Sequence, residues 1–157
     1  MLAILSDLHY DSYQRYALDP ISMCGLEDIL WNADALILAG DLTNGFARNW
    51  RDVFQYLSEF IPPNQIYALP GNHDYYQGSL AGDSHLAEAA RQAGAHFIQK
   101  DVLLHGDTRL VCCTFWTDFN LTGCPSPLEL CHYIGRERGI GHCEEATFRR
   151  RHLEAAA

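Results

Sequence analysis

The chain has 157 residues, 48% hydrophobic and 20% charged, with a net charge of −9; that is enough for one globular domain and unlike a disordered, collagen-like or coiled-coil sequence. The whole acidic excess lies within residues 1–120, which argues against bulk nucleic-acid binding, because a phosphate backbone calls for an excess of Lys and Arg. No apolar run reaches the roughly 20 residues of a membrane span, and Met1 leads into an apolar segment with no basic leader, so the expectation is a cytoplasmic protein with no membrane partner and six reduced thiols.

The first apolar run, Leu2 to Leu5, opens into Ser6-Asp7-Leu8-His9-Tyr10-Asp11. A weak helical pattern follows over residues 23–31. The second run, Ala35 to Ala39, opens into Gly40-Asp41-Leu42-Thr43-Asn44-Gly45. Phe46, Trp50, Val53, Phe54, Leu57 and Ile61 then recur at helical spacing until Pro62-Pro63 stops them. The third run, Ile66 to Pro70, opens into Gly71-Asn72-His73-Asp74. Leu80 to Ala93 predicts an Ala-rich helix, with Gly94 placed to cap its end. Val102 to His105, a Gly106-Asp107 turn and Arg109 to Phe115 predict a β-hairpin. Residues 121–141, rich in Gly, Pro, Cys and charge, predict loop, and residues 143–157 one last helix.

The three early runs are continuous rather than alternating, as in strands covered on both faces. Strand and helix alternate, so the strands are expected to be parallel and joined by right-handed crossovers. Spacing agrees: 32 residues separate His9 from Asp41 and 31 separate Asp41 from Asn72, each about one βαβ unit of ~30 residues. Ligands bind at the carboxyl edge of such sheets. The three loops bring Asp7, His9, Asp41, Asn72, His73 and Asp74 there, an oxygen and nitrogen donor set suited to Mn, Fe, Zn or Co. In an extended segment, Asp7 and His9 would point to the same side. Gly40 and Gly71 would let the backbone turn sharply beside a metal or phosphate.

Asp7-Leu8-His9, Gly40-Asp41 and Gly71-Asn72-His73-Asp74, in this order and one crossover apart, resemble the first three motif blocks of the calcineurin-like metallophosphoesterases. The resemblance runs from Met1 to about Gly123. It implies an α/β fold, a layered metallophosphoesterase-like sandwich. It also implies a metal-dependent hydrolase, a phosphatase or phosphodiesterase, that cleaves small phosphate mono- or diesters with a metal-activated hydroxide. Carried over residue by residue, it makes Asp7 and His9 ligands of one divalent metal, Asp41 the bridge to another and Asn72 a ligand of the second. It makes His73 the general acid that protonates the leaving group and Asp74 the residue that orients His73.

The family's two later blocks, a His after a later strand and a Gly-His-x-His segment, are not found. Gly141-His142 continues as Cys143-Glu144, His105 precedes the hairpin turn, and His132 lies in an irregular stretch. The expectation is a single domain over residues 1–157, incomplete at its C-terminal end. Residues 1–123 would resemble the family, and 124–157 would be irregular with a terminal helix. With the late ligands missing, at most one metal is expected to be held tightly, and turnover is expected to be weak. Uncovered sheet surface would favour a homo-oligomer. The alternative reading is a catalytically crippled metal-binding remnant that acts as a binding module.

Taken singly, Asp7 and Asp41 would read as turn residues; it is their company with His9, Asn72 and His73 that points to a metal. His85 is expected to be solvated, His96 structural and His105 part of a turn. The spacings among Cys124, Cys131-His132 and His142-Cys143 do not fit a zinc knuckle. Cys112 and Cys113 should face opposite sides of a strand, Trp116 should be core, and Arg149-Arg150-Arg151 should be a solvated helix face.

Overall fold

The computed structural model describes residues 1–45 and 48–115. Phe46, Trp116, the cysteines and histidines from Cys124 to Cys143, Arg149–Arg151 and the expected terminal helix lie outside them. The elements are β1 (Leu2–Leu5), α1 (Tyr10–Gln14), α2 (Pro20–Met23), α3 (Glu27–Trp31), β2 (Ala35–Ala39) and α4 (Arg48–Leu57). They continue as β3 (Ile66–Leu69), α5 (Asp83–Ala93), β4 (His96–Phe97) and the hairpin β5 (Asp101–His105) and β6 (Thr108–Cys112). Short 3₁₀ turns occupy Pro63–Gln65 and His73–Tyr75. No helix among the described residues is long and apolar enough to cross a membrane.

β1 to β4 form one parallel sheet in chain order, with Leu2 opposite Ala35, Leu36 opposite Ile66 and Tyr67 opposite His96. Right-handed crossovers that always step the same way along a sheet deposit every helix on one face. The side chains divide accordingly. Ala3, Leu36, Leu38, Ile66 and Ala68 share a core with Ile21, Leu30, Trp50, Phe54 and Leu86 from the helical segments. Ile37 and Leu69 face the other way and pack with Ile98 and Cys112, flanked by Leu2, Tyr67, Leu103 and Leu110. The antiparallel hairpin therefore covers the second face, and the molecule is layered: helices, parallel sheet, hairpin.

The two-sided cover expected of the apolar runs holds for β2, whose Ala35, Leu36, Ile37 and Leu38 are all buried. At the edge strand β1 it does not: Ile4 is 55% exposed. Of the weak helix expected over 23–31 only Glu27–Trp31 forms, as α3; Met23 ends a separate short helix, α2, and Gly25 between them, at φ +64°, breaks the helical path. Asp19 starts the first of them by accepting from the N–H groups of Ile21 and Ser22 at 3.0 Å. The helix expected to reach Ile61 ends at Leu57. Ile61 is nonetheless buried, held by a turn in which its N–H donates to the Leu57 carbonyl at 3.1 Å. α5 starts at Asp83 rather than Leu80 and ends as expected, with Gly94 left-handed at φ +80°. His85 and His96 are exposed, and His96 stacks on Tyr67. Cys112 is buried and Cys113 half-buried.

Candidate metal centre

Three loops leave the carboxyl ends of the adjacent strands β1, β2 and β3. The first two are laced together by their backbones: the N–H groups of Asp7, His9 and Tyr10 donate to the carbonyls of Gly40, Asp41 and Leu42 at 3.1, 3.0 and 2.9 Å. This lacing requires unusual backbone. Asp7, His9 and Asp41 are all left-handed, at φ +55°, +43° and +55°. The segment is thus not extended as its alternating sequence suggested. Each such conformation in a non-glycine residue costs on the order of 1–3 kcal/mol and tends to mark functional sites.

The third loop closes against the second through two glycines. A Cβ on Gly40 would come within 2.9 Å of the Gly71 backbone, and one on Gly71 would lie 2.1 Å from Asp41 Oδ1. The same Cβ would lie 2.5 Å from the Asp41 backbone nitrogen, so Gly71→Ala is expected to displace the Asp41 carboxylate, weakening metal binding, and to destabilise the fold as well. Titration calorimetry with Mn²⁺ beside thermal unfolding checks this; unchanged metal affinity would show that Asp41 is not held in place by this contact.

Asp74 fixes the third loop from within. It is fully buried and accepts hydrogen bonds from Trp50 Nε1 at 2.9 Å and from the N–H groups of Gly71, Thr43 and Leu42 at 2.9, 3.1 and 3.3 Å. One carboxylate thus ties β2, β3 and α4 together beneath the site. Burial pushes its pKa up to about 6, against the Trp50 and backbone hydrogen bonds that pull it down. The folded state then holds this proton more tightly than the unfolded chain. The group's contribution to stability is greatest below pH ~4 and shrinks as the pH rises through 6, by on the order of 1–3 kcal/mol. Denaturant unfolding of the wild type and Asp74→Asn between pH 4 and 7 should show the gap between them narrowing as the pH rises.

These contacts turn the Asp74 carboxylate toward backbone and indole rather than toward His73, the residue it was expected to orient. One side chain bonded to His73 is that of Asn44, whose Oδ1 lies 2.5 Å from Nδ1. Asn44 is itself anchored by Asp11: its N–H donates to Asp11 Oδ1 at 2.9 Å, and its Nδ2 faces both Asp11 oxygens at 3.4 Å. A carboxylate only accepts, so the amide nitrogen turns to Asp11 and the amide oxygen to His73, where Nδ1–H donates to it. Neither Asn44 nor Asp11 was singled out in the sequence; the sole clue is their place in the first two polar loops.

The remaining geometry places the expected ligands on one edge. His9, Asp41 and His73 each bring a ligand atom within 4.8 Å of the others. The His9 and His73 rings meet edge to face with centroids 4.7 Å apart, and the His73 N–H donates to Asp41 Oδ1 at 2.9 Å. Asp7, Asp41 and Asn72 line a common cavity of about 330 Å³, walled by Gly40, Gly71, Cys113, Thr114 and Phe115. Asp41 belongs to both groupings. His9 Nδ1 is buried with no hydrogen-bond partner, and a buried ring nitrogen without a partner is costly unless something binds there. The donor set, its spacing and this orphaned nitrogen fit a divalent metal.

The family model of the calcineurin-like phosphoesterases matches residues 1–138. The chain belongs to this family. Calcineurin-like phosphoesterases are metal-dependent phosphoester hydrolases that use divalent ions, and this family member carries a candidate cluster, His9, Asp41 and His73, that could hold one. The family match extends past the three motif blocks, to residue 138. A search of curated proteins returned no match.

Proposed function

We propose that the protein hydrolyses a small phosphate mono- or diester, with Asp7, His9, Asp41 and Asn72 as metal ligands and His73 as the acid that protonates the leaving group. The observation that carries this reading is the meeting of His9, Asp41 and His73 within 4.8 Å on loops whose Asp7, His9 and Asp41 are held left-handed. When bound, divalent metal supplies a water of lowered pKa and neutralises phosphoryl charge. The chain's own residues do the rest. Asp41, shared between the two groupings, offers a carboxylate that can face two cations. Asn44 takes Nδ1 of His73, so proton transfer to the departing oxygen falls to Nε2. Asp7 and Asn72 border the open cavity in which a phosphoryl group could be received.

Elemental analysis of the purified protein, paired with turnover of nitrophenyl phosphate and bis(nitrophenyl) phosphate, tests the proposal. Bound metal with turnover of either ester supports it. Bound metal with no turnover of either returns the protein to the binding-module reading. No retained metal, with none taken up on titration, removes both.

A further inference from the structure

Tyr76 lies four residues after Asn72 and closes the 3₁₀ turn His73–Tyr75. It touches both of the neighbouring site residues. Asn72 Nδ2 donates to the Tyr76 hydroxyl at 3.0 Å, and the Tyr76 ring lies against the His73 ring with centroids 4.4 Å apart. Asn72 is exposed, while Tyr76 is half-buried.

An exposed amide offers two faces, and only its oxygen binds a cation. An unrestrained Asn would turn either face to the metal and would lose rotamer freedom on binding. A Tyr hydroxyl can donate as well as accept, so what it supplies is restraint: with Nδ2 on the Tyr76 hydroxyl the side chain is held in one rotamer, and Oδ1 is left unengaged by Tyr76. We infer that Tyr76 is the positioning residue of the third loop: its hydroxyl holds the Asn72 side chain so that the amide oxygen would be free to take a cation, and its ring supports that of His73. The inference rests on the reading of Asn72 as a ligand given above. It assigns a reason for the second cation position to hold metal at all, since that position has few protein donors. Outer partners of this kind typically change metal affinity by about 10–100-fold.

The test is Mn²⁺ titration of the full chain by calorimetry and by electron paramagnetic resonance, on the wild type, Asn72→Ala, Tyr76→Phe and Tyr76→Leu. The wild type is expected to show a tight and a weak class of site, with the weak class lost in Asn72→Ala. Tyr76→Phe keeps the ring and loses only the hydroxyl. It should weaken the weak class by about 10-fold or more, leaving the tight class and the thermal midpoint unchanged. Tyr76→Leu should add a loss of turnover that is larger for esters with poor leaving groups, because His73 loses its ring support. A weak class that disappears in Asn72→Ala but is unaltered in Tyr76→Phe overturns the inference alone. A wild type with no class sensitive to Asn72→Ala overturns the ligand reading and the inference with it. A weak class that changes only together with the thermal midpoint reduces Tyr76 to a packing role.

Discussion

Asp41→Asn should lose bound metal and phosphoester hydrolysis together while the fold survives. Asp41 is the one side chain common to the His9–His73 cluster and to the cavity bordered by Asp7 and Asn72. Removing its charge therefore strips both groupings of the anion they share. The substitution is gentle in every other respect. Asn has nearly the same shape, its oxygen can keep the hydrogen bond from the His73 N–H, and it tolerates the left-handed backbone at φ +55° better than most residues. Elemental analysis, thermal unfolding and an ester assay on the same preparation check this. A variant that keeps its metal would take Asp41 out of the ligand set.

His73→Ala should have the opposite signature: metal retained and turnover reduced by roughly 10²–10⁴-fold, the range for loss of a general acid. Nδ1 is engaged by Asn44, which restricts the ring to donating from its far nitrogen. The loss should be smaller for nitrophenolate, which departs with little need of a proton, and larger for alkyl leaving groups. Because a ligand atom of His73 also lies within 4.8 Å of His9 and Asp41, metal content measured on the same variant decides between an acid and a ligand. Loss of metal, or an equal loss of rate on good and poor leaving groups, would remove His73 from the acid role.

The first three strands of the parallel sheet were legible because they are continuous apolar runs bounded by loops of a different chemistry. Ala35–Ala39 is apolar throughout and then turns at Gly40-Asp41, so pattern and boundary coincide. The residues proposed as ligands stood out because Asp, His and Asn seldom crowd the ends of three successive strands. Other features could not be read because they depend on which side chains meet across loops. Asp74 follows His73 in sequence, yet its carboxylate turns inward to Trp50 and the backbone of the second loop. Asn44, 29 residues away, reaches the imidazole instead. Trp50 had a helical spacing that marked it as core, and it is core, but nothing in that spacing announced the hydrogen bond from its indole. The break between α2 and α3 reflects a single left-handed glycine within a pattern too weak to locate it.

The order of the strands in the sheet bears on how the molecule is assembled. Each of β1, β2 and β3 pairs with the strand that follows it in the chain, Leu2 with Ala35, Leu36 with Ile66 and Tyr67 with His96. Among the described residues no pairing within the sheet waits for a distant segment, so these loop closures are all of similar, modest length, the condition under which native pairing competes well with misfolding. The three ligand loops end at Asp74, before α5 begins at Asp83. During synthesis from the amino terminus, the acidic edge can therefore take shape strand by strand, and the β5–β6 hairpin arrives afterward, covering the opposite face and bringing Cys113, Thr114 and Phe115 as the last wall of the cavity.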